Sequence, residues 1–598
     1  MTLLIEKFYK VLGESVLVLR KDLLAVFFLI TVAPFCAFVH LAPLGDFWPF
    51  FMACSAVVIC TTIGLGVANF KQNSLLVSPL VGLLSGFFLF LCLLTAVQNV
   101  SINDQLVLVI YSVIVVLTAL LAVQLAQKSD VQYYDYLAII LVVGGVVQSI
   151  GAIAIQYRLM GIDYWMVPVF NRLIGFIAQS NQLAIYMMVA FLALSYLTLR
   201  RLMPIVIAIV IGGLLGFILF GSGSRAVLVY LVLSVIITLF CLIKSKDKTY
   251  VRFVFLILAL ILGAIVYYYL PTIIGWFSDD SAQAIALQTS SSYGRTAASD
   301  SFRLSEIKKA FALFKEMPLL GVGFGNYAAT GFWFAVQDGS YTFLGDLSVH
   351  SHNLFAQILA EFGAVGFLAL LAIVGYIVVR FWQTPKTLQW WLVLNICCVY
   401  FVNSMLEYVL WRMQFVPLLV LVMVPLLSPV IKLRFSRWIS LLVWVVVASI
   451  YIVMASQSLN TYAKSFFYNQ ETVLMDKADY QTFLSATDDL IWGREIQQQE
   501  FVNLSPTIID FARQQQVTDT MLNWHPYAPV IVNKIQLLLL SGQVGDLERF
   551  STALVKAYPD MVPSICGYFN GFNDLPNPQG LRAVKKVLDC RSVLSKKK

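Results

Sequence analysis

Long apolar runs separated by short polar breaks fill the first three quarters of the chain. Thirteen of them read as membrane-crossing helices, over residues 23–43, 47–69, 75–97, 105–127, 134–155, 176–197, 202–220, 226–243, 253–275, 354–379, 388–410, 413–431 and 438–457. About 20 apolar residues at roughly 1.5 Å each match the hydrocarbon thickness of a bilayer. After 457 polar residues dominate and no further run of that length occurs. The pattern predicts an all-α polytopic membrane protein: a bundle over 1–457, interrupted by one long polar loop at 276–353, then a helical domain over 458–598.

The loop has structure of its own. Leu304, Ile307, Phe311 and Phe314 recur at i, i+3, i+7 and i+10, which predicts an amphipathic helix over 301–316, capped by Asp300 or Ser301 and stopped by Pro318. The Ser-, Ala- and Thr-rich stretch 279–301 reads as mobile. Gly321-Val-Gly-Phe-Gly325 has no strand before it and no βαβ unit around it, so it reads as a tight turn laid on the bundle rather than a dinucleotide fingerprint. In the tail, Asn523 to Pro526 opens a helix reaching about Leu540; a turn over Gly542–Asp546 and a second helix, Leu547–Tyr558, follow. This is reminiscent of a tetratricopeptide unit, without a clean 34-residue repeat, and suits contact with protein.

Composition agrees: 60% of residues are hydrophobic and 12% charged, outside the range of soluble domains. The net charge of +8 does not signal nucleic acid, because the basic residues cluster in alternate loops. Lys7 to Lys21, Lys71, Lys128, Arg200-Arg201, Lys244 to Arg252, Arg380 with Lys386, and Lys432 to Arg437 mark those loops as cytoplasmic. The N-terminus is then inside, with no cleavable signal, and an odd number of spans sends the tail to the far side, the periplasm of a bacterium. Seven cysteines lie in apolar runs and read as small buried hydrophobes; Cys566 and Cys590, on the oxidising side, are a candidate disulfide, and no cysteine–histidine spacing suggests a metal.

That topology isolates a second set of charges. Arg172, Arg225, Arg303 and Arg412 fall on the far side, against the bias, as do His350 and His352. Read as one helix, Arg172, Gly175, Gln179 and Gln182 share a face, either a site or a packing stripe beneath a snorkelling arginine. Gly221-Ser-Gly-Ser-Arg225 presents backbone N–H groups and a guanidinium fork, which suits an anion, or else is an ordinary helix–helix turn. Asn353, Gln357 and Glu361 recur at i, i+4 and i+8; Glu361 lies about 12 Å into the following apolar run, and the stripe either serves a site or glues helices. A histidine at the mouth of an arginine-lined cavity can take a proton from a hydroxyl nucleophile. Glu407 either holds one of the arginines or sits at the interface beside Tyr408. His40 and His525 read as structural. Arginines, an imidazole and carboxylates between apolar helices suit a lipid-linked anion.

These motifs resemble the O-antigen ligase superfamily, in particular its bacterial O-linked (pilin) oligosaccharyltransferase branch. The resemblance covers most of 170–430 and rests on Arg172…Gly175…Gln179-Ser-Asn181-Gln182, Ser224-Arg225, Arg303 ahead of Pro318 to Asn326, and His352-Asn353…Gln357…Glu361…Gly363. Ser404-Met-Leu-Glu407-Tyr408 resembles the signature of the pilin-directed branch, with Asn403 and Val409 where that branch often has His and Pro. The resemblance implies a GT-C-like inner-membrane transferase. It would move a glycan from undecaprenyl diphosphate to a Ser/Thr of a pilin-like periplasmic protein, without cofactor or metal. It makes His352 the general base, Arg225 and Arg303 the diphosphate clamp, and Arg172, Gln179, His350, Asn353, Gln357, Glu361 and Glu407 substrate-binding. Ligation to lipid A–core, polymerisation onto a second lipid-linked glycan, and non-enzymatic transport of lipid or glycan are the alternatives.

Overall fold

The computed structural model describes residues 21–40, 44–72, 74–129, 132–157, 172–245, 248–275, 297–338, 347–427, 429–434, 436–470, 477–503, 511–570 and 577–590. The mobile segment expected at 279–301 therefore lies outside the described residues up to 296.

The described residues are almost entirely helical, as the apolar pattern predicts. The bundle contains α1 (Lys21–Thr31), α2 (Phe47–Gln72), α3 (Pro79–Val97), α4 (Ile102–Ser129), α5 (Gln132–Gln156), α6 (Ser180–Leu199), α7 (Ile205–Gly221), α8 (Ala226–Ser245) and α9 (Arg252–Gly275). The polar loop supplies α10 (Ala297–Glu316) and α11 (Tyr327–Asp338); α12 (Leu354–Gln383), α13 (Leu388–Ser404), α14 (Phe415–Leu427) and α15 (Arg437–Gln470) complete the bundle. The tail adds α16 (Lys477–Leu484), α17 (Gly493–Asn503), α18 (Phe511–Trp524), α19 (Ala528–Ser541), α20 (Leu547–Ala557), α21 (Val562–Asn570) and α22 (Pro578–Val587).

Among the described residues nine helices are long and apolar enough to cross a membrane, and α1, α7, α13 and α14 are shorter helices on the remaining four expected spans. The protein is an all-α polytopic membrane protein. Several boundaries differ from expectation. The helix on the span expected at 23–43 ends at Thr31, and residues 75–77, read as the start of a span, lie in strand β1 (Ser74–Val77), antiparallel to β2 (Ile431–Arg434). Helix α3 begins only at Pro79, whose fixed φ suits a first turn, with the Ser78 hydroxyl accepting the Val81 N–H. Helix α10 begins at Ala297, ahead of the expected caps, because Ala297-Ala298 are strong helix formers.

Every residue of α6 is buried, so the bundle is built around it. Helices α7 and α9 approach to backbone contact: a Cβ on Gly216 would lie 2.4 Å from the Leu260 carbonyl oxygen. At one end of α6, Arg200 pairs with Asp135 at 3.1 Å. The other end collects the N-terminus of α6, the C-terminus of α7, the start of α12 and the turn after α13.

The tail packs on the loop. Ala328, Phe332 and Ala335 of α11 share one core with Leu347 and with Val530, Ile531 and Leu554. His525 Nε2 lies 2.7 Å from the Leu347 carbonyl, and Arg494 bridges to Asp104 at 2.8 Å at the start of α4. Cys566 and Cys590 form the expected disulfide. Helix α15 runs unbroken through 457, where the sequence suggests the bundle ends, as far as Gln470.

Candidate functional site

The expected helical face from Arg172 to Gln182 does not form. Gly175 (φ 59°) and Ala178 (φ 61°) both take left-handed backbone, a short 3-10 turn fills the gap, and α6 starts at Ser180. Gln179 is its cap: the side-chain oxygen accepts the Gln182 N–H at 2.6 Å, replacing a missing intrahelical bond. The break turns Arg172 back across the end of α7, where Nε donates to the Ser222 carbonyl at 2.8 Å and Nη2 to Asn181 Oδ1 at 2.8 Å.

Asn181 passes the contact on. Its Nδ2 donates to Glu407 Oε1 at 2.8 Å. Glu407, in the turn after α13, also forms an ion pair with Arg303 of α10, and its Oε2 lies 3.2 Å from Nδ1 of His352. Three stretches of chain thus converge on the Glu407 carboxylate, and its pairing with an arginine is as anticipated. Asn181 is the connector that spacing alone misses, since its partner lies 226 residues away. The Glu407 side chain is 13% exposed, against 19% for His352 and 30% for Arg303, so exposure rises from the carboxylate to the guanidinium. The cavity beneath, lined by Gln179, Asn181, Asn403 and Tyr408, is only about 10 Å³, room for about one water. Arg225 is exposed on the loop that follows Ser222, whose carbonyl accepts from Arg172.

The two histidines are distinguished by their surroundings. His350 is 3% exposed, with its ring 4.5 Å from that of Trp411. Burial, reinforced by His352, holds its pKa well below the usual imidazole value. Its Nδ1 accepts the His352 N–H at 2.8 Å, so the proton sits on Nε2. That bond helps hold His352 at φ 57°, a left-handed conformation unusual for a non-glycine residue and concentrated at functional sites.

The polar stripe of α12 faces its own loops. Asn353 caps the helix, accepting the Ala356 N–H at 3.0 Å; Gln357 Oε1 accepts the Ser351 N–H at 2.7 Å; Glu361 Oε1 accepts the Gly325 N–H at 2.9 Å. Gly363 (φ 64°) then breaks the helix. Residues 364–383 alone extend roughly 30 Å, a full bilayer. Glu361 thus lies just before a stretch that is by itself long enough to cross. The glycine run lies in that break: Val322 and Gly323 donate to the carbonyls of Ala360 and Glu361 at 2.8 and 2.9 Å. Of the remaining candidates, Arg412 pairs with Asp46, and His40 bonds the carbonyls of Ala37, Gly45 and Phe176.

No curated protein matches the chain. A family model does: Wzy_C, O-antigen ligase, matches residues 210–371, a stretch that holds Arg225, Arg303, His350, His352, Asn353, Gln357 and Glu361 but not Arg172, Gln179 or Glu407. The match covers 162 of the 598 residues, and over that stretch the chain is similar to the O-antigen ligase family.

Proposed function

We propose that the protein is an O-linked oligosaccharyltransferase. It would move a glycan en bloc from undecaprenyl diphosphate to a Ser or Thr hydroxyl of a pilin-like or other periplasmic protein. The observation that carries this reading is the sharing of Glu407 by Arg303 and His352. One carboxylate orients an imidazole and an arginine at a membrane rim, where the head of a lipid-linked diphosphate would lie. The basic loops at the opposite ends of the helices support a cytoplasmic N-terminus and a periplasmic site in the bacterial inner membrane.

In the proposed reaction His352, oriented through Nδ1, takes the acceptor proton on its other ring nitrogen. The hydroxyl oxygen attacks the anomeric carbon and inverts it, and the glycosyl–phosphate bond breaks. Arg225 and Arg303 hold the diphosphate and stabilise the charge left on undecaprenyl diphosphate. Arg172 assists by fixing Asn181, and through it Glu407. Gln179, Asn353, Gln357 and Glu361 shape the walls. His350, neutral and buried, holds the His352 backbone. The bond energy comes from the donor, so the mechanism calls on neither nucleotide nor metal.

The helical tail favours a protein acceptor, since it shares a core with the loop leading to His350. The description of the matching family, O-antigen ligase, favours the ligation alternative instead. Expression with a lipid-linked glycan source and each acceptor separates them: glycan is expected on protein. Glycan on lipid A–core or in longer chains would replace this reading, and movement of glycan with no covalent product would make the chain a transporter. His352→Ala and Arg225→Ala should each reduce transfer by at least about 100-fold while the chain still inserts. Full activity of His352→Ala would remove it as the base.

A further inference from the structure

Helix α10 buries the wrong face for a helix in a soluble loop. The residues it packs inward are Glu306, Lys309, Ala310 and Leu313, with Lys309 Nζ 2.7 Å from Glu306 and 4.4 Å from the centre of the Tyr327 ring. Two of the four residues of the periodic apolar stripe are turned out, while Ile307 and Phe314 are half-buried, Ile307 against the Ala310–Leu313 core. Leu304 and Phe311 are 55% and 45% exposed, and the elbow that follows exposes Leu319 and Leu320 by 67% and 40%. An amphipathic helix leaves its apolar side open only where something else covers it.

Two observations identify the cover. First, both ends of α10 are fixed at the outer ends of membrane helices. Arg303 pairs with Glu407 just beyond α13, while the carbonyls of Pro318 and Leu319 accept the N–H groups of Ala364 and Val365, where the membrane-crossing part of α12 begins. The helix therefore runs along the plane of the bilayer, and its elbow is continuous with the exposed apolar flank of α12 at Val365 and Leu368. Second, Lys308 and Lys315 are exposed beside Leu304 and Phe311, at i+4 from each. A stripe of Leu and Phe edged by Lys is the composition of a helix half-sunk at a lipid headgroup layer, its ammonium groups reaching phosphates.

We propose that the outer face of α10 and its elbow lie in the headgroup layer of the adjoining leaflet, with the lysines on anionic phospholipid. Arg303 is thereby fixed at the height of lipid phosphates. The inference concerns lipid contact and stands whether or not the transfer reaction above is correct.

The test uses the full chain in vesicles of phosphatidylethanolamine and phosphatidylglycerol. The photoreactive residue benzoylphenylalanine replaces Leu304, Phe311 or Leu319 singly, with Leu490, exposed in the tail, as control. Illumination should give phospholipid adducts at the first three positions and at least about tenfold fewer at Leu490. Lys308→Glu with Lys315→Glu, in the Phe311-substituted chain, should reduce phosphatidylglycerol adducts by at least about threefold. Both lysines are exposed, and an unchanged phosphatidylethanolamine adduct yield reports that the double variant keeps its fold. Adducts to protein at the three positions would make the face a protein interface and overturn the proposal. So would adduct yields no higher than at Leu490, and an unchanged phosphatidylglycerol yield in the double variant would overturn the assignment of the lysines.

Discussion

Glu407 meets three demands with two oxygens: it holds Arg303, orients His352 and accepts from Asn181. An amide of the same shape can satisfy the geometry only in part, since its NH2 repels a guanidinium and it carries no charge to balance one. Under the proposed reaction, Glu407→Gln should reduce kcat for glycan transfer by roughly 10²–10³-fold, with Glu407→Asp recovering part of it. Steady-state transfer assays on the two variants, with insertion followed by protease protection, would check this. Equal rates for Gln and Glu would show that orienting His352 needs no charge. The neighbouring His350 shows why residue type alone misleads. It is as histidine-like as His352 in the sequence, yet sealed against Trp411 it is uncharged and serves the backbone.

At the scale of elements, the connection between loop and bundle rests on two glycines. Gly321 (φ 75°) and Gly363 (φ 64°) face each other where the loop enters the break in α12; a Cβ on Gly321 would lie 2.5 Å from the Glu361 carbonyl carbon, with backbone on all sides. No rotamer can relieve that contact. Gly321→Ala should detach the 317–325 segment at a cost of well over about 1 kcal/mol, from strain at positive φ added to the clash. Limited proteolysis at 317–325 should then accelerate several-fold without loss of the membrane-embedded helices; unchanged proteolysis would contradict the close docking seen here. These elements also mark what sequence reading can and cannot reach. The apolar segments were legible because a bilayer imposes length and composition directly. The break at Gly363 was not, because it exists only for a loop docking from some 40 residues upstream. The split at Gly175 and Ala178 concealed Asn181 in the same way: helical periodicity assumes a helix that a single left-handed residue cancels. The period of the stripe on α10 was visible, but a period carries no record of which side is covered, and the covered side here holds Glu306 and Lys309.

The whole molecule depends on the junction between tail and bundle, and that junction is built to feel pH. Glu495 follows Arg494, which bridges to Asp104, and its Oε2 is sealed with no partner among the described residues, although the residue as a whole is half-buried. Burial, opposed by a backbone hydrogen bond and Arg494 and aided by Asp104 and Asp489, raises its pKa from 4.5 to about 7. Between those values the docked state holds a proton that the opened state releases. Docking is thus strongest below about pH 4.5 and weakens as pH rises through about 7, by up to about 1.4 kcal/mol per unit. Hydrogen exchange over 488–503 should therefore quicken from pH 5 to 8 beyond its intrinsic chemical rate. Glu495→Gln should flatten that trend, whereas a slope shared by both proteins would place the titration elsewhere.

Helix α15 has a consequence of its own. Its 34 residues reach roughly 51 Å, about 20 Å more than hydrocarbon requires. The surplus makes it a mast: the tail stands at a height counted out in helical turns instead of drifting on a tether. Anything it grips is offered to the rim of the bundle from one fixed altitude, so reach is measured before recognition begins.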